Sequence, residues 1–175
     1  SWGDPEYLDG RNPLEVLVTS QMYLHQVALA LAAERRDNPG DDLFSALVQA
    51  EVEGARLTDQ EIAAFFVLLA VAGNDTTRQT TSHAMKALTD FPEQRAWLMA
   101  AFDERIGVAV EEFVRWASPV MTFRRTAATD YELGGLRISA GEKVVMFYSS
   151  GNQDTDKFER PDLLNLGRDP NPHLG

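Results

Sequence analysis

A polar string interrupts the longest apolar stretch of the chain and offers groups for proton transfer. Residues 72–77 read Ala-Gly-Asn-Asp-Thr-Thr. Gly73 removes a side chain, so a planar ligand could approach the backbone closely. A Thr76 hydroxyl bonded back to the carbonyl of Ala72 would loosen the helix and open a groove, and Asp75 beside it could relay protons. We predict a distorted helix with a ligand groove here; the alternative is a polar patch that faces solvent.

A charged pair follows on another predicted helix. Glu112 and Arg115 lie three residues apart, so they share a helix face and can form an ion pair. Such pairs are common on protein surfaces, where they contribute little. The flanking Phe113 and Trp116 are bulky and apolar, and Pro119 stops the helix soon afterwards. This context sets the pair apart from an ordinary surface contact.

Three basic side chains offer contacts to an anion. Arg124 and Arg125 are adjacent and could make bidentate contacts to a carboxylate or phosphate. His173 lies in a segment stiffened by two prolines, so a fixed imidazole could donate a hydrogen bond to an anionic group. From the residues alone, solvated surface positions are the favoured interpretation for all three.

The composition is that of an acidic globular protein. The 175 residues are 44% hydrophobic and 25% charged, which suits one domain with a core, placed at 1–175. The net charge of -11 argues against a nucleic-acid partner, because phosphate contacts need clustered Lys and Arg. No cysteine occurs, so this chain makes no disulfide or thiolate metal site. The longest apolar run, 62–73, is too short to span a bilayer, and no signal peptide is visible. We therefore expect a cytoplasmic protein without a membrane partner.

Helices dominate the predicted structure. They are expected at 13–36, in a short segment that ends at residue 50, at 58–89, 92–101 and 106–117. Asp41 or Asp42 caps the short helix. Thr58 and Glu61 form a capping box before the long central helix. That helix is apolar on every side over 62–72, so this segment should be buried all round.

A small β region follows the helices. Two glycines, Gly134 and Gly135, predict a hairpin over 131–138, and 144–147 predicts a short buried strand. The last 25 residues should be irregular. The fold class is therefore mainly α with a small β region, an α+β protein.

Taken in order, these motifs resemble the cytochrome P450 family. The string at 72–77 is similar to the family's central helix motif, and Glu112 with Arg115 is similar to its Glu-x-x-Arg motif. The hairpin, the Asn-, Asp- and Pro-containing stretch over 152–162 and the end of the chain also match in order. The resemblance implies an incomplete P450 fold, from the G helix through the meander, most similar to soluble actinobacterial members.

The resemblance assigns roles to individual residues around a heme b cofactor. Asp75 and Thr76 would deliver protons during oxygen activation, and Arg115 with Glu112 would lock the scaffold. The remaining assignments are Ala72 and Gly73 against the porphyrin, Arg124 and His173 on the heme propionates, and Val120 and Met121 in the substrate pocket. The implied activity is insertion of one oxygen atom from O2 into a small hydrophobic substrate, such as a steroid or lipid, with electrons from a ferredoxin-type donor.

Two features depart from the family pattern. A third scaffold residue, usually Arg or His, should fall near Leu163, where Arg160 or Arg168 would have to compensate. The heme-ligand cysteine should follow Gly175, so we expect a C-terminal portion of a P450 that is inactive by itself. A non-catalytic remnant acting as a helical interaction module is the first alternative, and an acidic helical regulator that binds a small ligand is the second.

Overall fold

The computed structural model describes residues 5–8, 10–52 and 54–175. The chain divides into two compact units, 1–74 and 75–175, and each is described by itself. The assignment of 1–175 to one domain stays a prediction.

Three helices, a short hairpin and the start of a fourth helix make up the first unit. The elements are α1 (Pro5–Leu8), α2 (Pro13–Asp37), α3 (Leu43–Gln49), β1 (Glu51–Val52), β2 (Ala55–Arg56) and α4 (Asp59–Asp90), which continues into the second unit. Asp42 caps α3, as expected, because its Oδ1 accepts from the Ser45 amide at 2.8 Å. Ala32, Val48 and Ile62 form a small buried cluster.

Helix α2 matches its predicted range closely. Asn12 caps it by accepting from the Leu14 amide, and Pro13 occupies the first turn, where its missing N–H costs nothing. By length and composition alone, α2 is long and apolar enough to cross a membrane, and 11% of its most apolar window is buried.

The predicted capping box begins α4. The Thr58 amide donates to Glu61 Oε2 at 2.8 Å, and the Glu61 amide donates to Thr58 Oγ1 at 3.3 Å. Bonds from the Thr58 amide and hydroxyl hold the pKa of Glu61 below its usual range, against the opposing effect of desolvation. The acid therefore stays ionised at the positive end of the helix.

Two predictions about α4 are wrong. The helix is α-helical without interruption from Asp59 to Asp90, so the predicted distortion at 73–76 is not present. A single glycine costs a helix only about 1 kcal/mol, which its neighbours can offset. Burial on every side is also not observed: Ile62 is fully buried, but Leu68 and Val71 expose 58% and 60% of their surface. The small cluster of the first unit buries Ile62, and Phe44 contacts Phe66 one turn later, but Leu68 and Val71 lie on the opposite, exposed side.

Two further helices and the end of α4 enclose the core of the second unit. Helix α5 spans Pro92–Met99 and α6 spans Phe102–Ala117. Helix α6 begins four residues earlier than predicted. Asp103 and Glu104 suit the early start, since acidic side chains stabilise a helix N-terminus. The helix ends at Ser118, which takes a left-handed conformation before Pro119. The buried core residues are Ala87, Leu98, Ala109, Phe113, Leu164 and Leu166.

The β region consists of two antiparallel pairs. Strands β4 (Tyr131–Leu133) and β5 (Leu136–Ile138) form the predicted hairpin, in which Gly134 and Gly135 both have positive φ. Strand β6 (Lys143–Phe147) pairs with β3 (Thr122–Thr126), a strand that the sequence did not predict. The strand over 144–147 is thus confirmed, but its predicted burial is wrong, because β6 alternates between exposed and half-buried residues. After a short helix, α7 (Tyr148–Gly151), the chain is irregular, as expected.

Candidate functional site

The second unit contains a buried ion pair between Glu112 and Arg115. Arg115 Nε donates to Glu112 Oε2 at 2.7 Å, and Nη2 donates to Oε1 at 2.8 Å. Both side chains are completely buried. The predicted pair is therefore confirmed, as a bidentate contact in the interior, where an unpaired charge would be very costly.

The third charged member of this network is Arg168. Its Nε donates to Glu112 Oε2 at 3.0 Å, and its side chain is 8% exposed. Its other nitrogens donate to three carbonyls, those of Glu159, Arg160 and Leu163. The predicted position near Leu163 was therefore wrong by five residues, and Arg168 is the compensating residue. An irregular segment has no periodicity from which to count positions, which explains the error.

Backbone groups and one side-chain amide complete the network and anchor the irregular segment to α6. Arg115 Nη1 donates to the carbonyls of Asn152 (2.8 Å) and Pro161 (3.1 Å). Glu112 also accepts from the Asn165 amide and from Asn171 Nδ2, both at 3.0 Å. Sequence reasoning missed these partners, because they lie 37 to 59 residues away in the chain.

Asn152 links three separate segments and was also missed as an individual residue. It is fully buried, its Nδ2 donates to Ser118 Oγ at 2.8 Å, and its Oδ1 accepts from the Leu174 amide at 2.8 Å. A buried asparagine needs such partners, so the position of residue 174 is set by the end of α6.

A cavity of about 490 Å³ lies between α4, α6 and the turn that follows α6. Its walls are mainly apolar, with hydroxyls from one face of α4. Thr80 and Thr81 direct their hydroxyls back to the carbonyls of Thr76 and Thr77, so their methyl groups add to the apolar surface. The lining residues are Thr76, Thr77, Thr80, Thr81, Ala84, Val110, Phe113, Val114, Pro119, Val120 and Gly175. The cavity therefore brings together Thr76 and Val120 among the predicted site residues.

Asp75 lies beside the cavity, and its carboxylate is held within α4. Arg78 Nη2 donates to Oδ1 at 2.5 Å, and Gln79 Nε2 donates to Oδ2 at 2.7 Å. The hydrogen bond from Arg78 is the main cause that lowers the pKa of Asp75; Gln79 adds to it, and desolvation opposes it. The acid is therefore ionised near neutral pH.

Ala72 and Gly73 are both exposed on α4. A methyl group built on Gly73 would meet no atom within 4 Å. The backbone is therefore open to close approach, which is the property that the predicted porphyrin contact requires. Met121, the second predicted pocket residue, is 68% exposed at the start of the β region.

The two adjacent arginines occupy opposite faces of β3. Arg124 pairs in register with Val145, and Arg125 pairs with Val144, so the two side chains alternate. Arg125 lies over the Phe123 ring, with its guanidinium carbon 4.8 Å from the ring centre. Arg124 is exposed and therefore accessible to an anion.

His173 contacts an acidic residue rather than either arginine. Its Nε2 lies 2.7 Å from Glu111 Oε2, and its side chain is 9% exposed. Within the described residues, the buried Nδ1 has no hydrogen-bond partner. The contacts described for this part of the chain do not join His173 to Arg124, so their shared role on the heme propionates stays a prediction.

Comparison with known proteins gives the same family as the motifs. The family model described as cytochrome P450 matches residues 14–168. A methyl-branched lipid omega-hydroxylase of Mycobacterium tuberculosis is 53% identical over 148 residues, which are 85% of this chain and 35% of that protein. A steroid C26-monooxygenase of Mycolicibacterium smegmatis is 44% identical over 172 residues, or 98% of this chain and 38% of that protein.

Solved structures confirm the fold. The structure of Mycobacterium marinum cytochrome P450 CYP268A2 in complex with pseudoionone is 74% identical, with a TM-score of 0.86, and covers 99% of this chain and 42% of its own. CYP109E1 from Bacillus megaterium in complex with testosterone is 34% identical, with a TM-score of 0.85 over 92% of this chain. The chain thus spans little more than a third of the curated relatives that it matches. It belongs to the cytochrome P450 family.

Proposed function

We propose that this chain is part of a heme-thiolate monooxygenase that inserts one oxygen atom from O2 into a hydrophobic organic substrate. The observation that carries the proposal is the apolar cavity, which is lined by both Thr76 and Val120. A mainly apolar pocket with a few polar groups is the usual form of a site for a small organic ligand.

The lining suits one face of a heme. Apolar side chains and threonine methyl groups can pack against a flat porphyrin. Arg124 and His173 would bind the propionates, with Arg124 supplying an exposed positive charge. A bound heme with a cysteine ligand supplies the iron chemistry that activates O2. None of the 175 residues is a cysteine, so these residues would hold the porphyrin without ligating the iron.

Thr76 and Asp75 would move protons on this side of the cavity. Thr76 lines the cavity. Asp75 lies about 100° around the axis of α4 from Thr76, and its carboxylate is ionised. An ionised carboxylate next to a hydroxyl can pass a proton from solvent inward, and general acid–base groups of this kind contribute about 100-fold to 10,000-fold in rate. Val120 and Met121 would contact the substrate.

The names of the relatives support a substrate class. The two curated relatives are named for hydroxylation of methyl-branched lipids and for steroid oxidation, and the solved structures hold pseudoionone and testosterone. We propose a steroid, lipid or isoprenoid-like substrate, a ferredoxin-type electron donor and a cytoplasmic location.

Replacement of Thr76 tests this function. In the heme-bound holoenzyme, Thr76→Ala should lower the fraction of consumed electrons that appears in product, with little change in substrate affinity, because the hydroxyl acts in the catalytic step. Thr89→Ala is the matched control: Thr89 is on the same helix, and its hydroxyl bonds back to the Met85 carbonyl. Equal coupling efficiency in Thr76→Ala and Thr89→Ala would contradict the proposed function.

A further inference from the structure

Both oxygens of the Asp75 carboxylate are engaged, and by two different kinds of donor. Arg78 is a permanent cation one turn further along α4, and Gln79 is a neutral amide beside it. Asp N-terminal to Arg at this spacing is the favourable order on a helix. The three side chains therefore form a clamp within one helix, defined here as the Asp75 clamp.

The Asp75 clamp and the cavity lie on different faces of α4. Thr76, Thr80 and Ala84 line the cavity and recur every four residues, which is one helix face. Asp75 and Gln79 precede Thr76 and Thr80 by one residue each, so they lie about 100° around the helix axis. The clamp therefore holds the acid at the edge of the cavity, with its charge outside the apolar lining.

The geometry points to Arg78 as a positioning residue for proton delivery: it keeps the Asp75 carboxylate in one place beside Thr76, and proton transfer proceeds from that position. This inference rests on the proposed function, because it concerns the acid of the proposed relay. Arg78 is not among the residues that line the cavity, so it acts through Asp75. Among the described residues, Asp75 has one charged side-chain partner, Arg78, and one uncharged side-chain partner, Gln79.

A second ion pair on α4 shows what an ordinary pair of this kind looks like. Lys86 Nζ contacts Asp90 Oδ2 four residues away, near the C-terminal end of the helix. Both pairs are exposed: the Arg78 and Lys86 side chains are 70% and 72% accessible. Lys86→Gln therefore removes an equally exposed intrahelical pair and serves as the matched control for Arg78→Gln.

The test combines a titration with turnover in the holoenzyme. Selective ¹³C labelling of aspartate carboxyls, with Asp75→Asn to assign the signal, would follow the titration of Asp75 in the reduced, carbon-monoxide-bound, diamagnetic protein. In Arg78→Gln, the pKa of Asp75 should rise, because the main lowering cause is removed, and Arg78→Lys should restore part of the shift. Coupling efficiency should fall about twofold to fivefold in Arg78→Gln, the range that an exposed ion pair supports, with KM unchanged.

The outcomes separate this inference from the proposed function. Lys86→Gln should change neither the Asp75 titration nor the coupling. An unchanged titration midpoint in Arg78→Gln, or a shifted midpoint with unchanged coupling, overturns the role of Arg78. If Asp75→Asn lowers coupling and Arg78→Gln does not, the proposed relay stands and the inference alone fails. If Asp75→Asn itself has no effect on coupling, the relay is wrong, and the role of Arg78 falls with it.

Discussion

Glu112 and Arg115 form an ion pair that is completely buried, whereas Leu68 and Val71 are apolar and more than half exposed. The usual distribution of side chains is thus reversed in two regions of one chain. The charged pair is stable inside because its partners, from Asn152 to Asn171, all belong to the second unit. The apolar half of α4 packs through Ile62 on Ala32 and Val48, with Phe44, Leu47 and Leu57 around them, and this cluster does not include Leu68 or Val71.

The comparison shows that burial depends on available partners as much as on polarity. A buried charge needs specific donors at fixed positions, and α6 with the irregular segment supplies them. An apolar face is buried by any apolar surface that covers it. The first unit covers Ile62 in this way but leaves Leu68 exposed. The predictions below compare these two regions, from the largest expected effect to the smallest.

Removal of one partner from the buried pair should have the largest effect on stability. Arg115→Ala removes the bidentate partner of Glu112 and leaves Arg168 as the remaining cationic partner among the described residues, so the free energy of unfolding should fall by about 3–5 kcal/mol. Urea denaturation measures the change. Arg56→Ala, which breaks an exposed pair with Glu51, should leave the midpoint nearly unchanged. Similar midpoints for the two variants would mean that the buried network does not stabilise the second unit.

Replacement of Arg168 should cause the second-largest loss of stability. Arg168→Met keeps most of the apolar stem but removes the donors to Glu112 and to three carbonyls, at an expected cost of about 2–3 kcal/mol. Arg160→Gln is the control, because Arg160 contributes its carbonyl to the network and its side chain is exposed. A larger loss in Arg160→Gln than in Arg168→Met would reassign the third position of the network.

Two aliphatic residues on one helix should respond differently to the same truncation. Ile62→Ala removes a fully buried side chain and should cost about 2–4 kcal/mol. Leu68→Ala removes a side chain that is 58% exposed and should cost less than about 1 kcal/mol. Equal losses in thermal or urea denaturation would show that the apolar half of α4 is covered after all.

Local features of the fold could be predicted from the sequence, and distant ones could not. Thr58 with Glu61, Asp42 and the Gly134–Gly135 turn each depend on residues within three positions, and each was confirmed. Strand β3 was missed because its pairing with β6 lies about 20 residues further along the chain.

In the candidate site, too, local contacts could be predicted from the sequence and distant ones could not. Spacing alone identified the Glu112–Arg115 pair, since residues three apart share a helix face. It could not identify Arg168, 56 residues away in a segment without periodicity. It also gave no sign that Arg78 and Gln79 would hold Asp75, although their spacing permits it, because such short motifs occur on most helices.

Heme binding by the chain itself tests the proposed site most directly. Thr80→Trp would fill the cavity, and since overpacking costs about 1–3 kcal/mol, heme affinity should fall about tenfold. Thr89→Trp lies on the same helix outside the cavity lining and should leave the affinity unchanged. The heme complex, reduced and exposed to carbon monoxide, should lack the absorption band of cysteinate-ligated iron, because the chain has no cysteine. Equal heme affinity in the two variants, or a cysteinate-type band, would contradict the account.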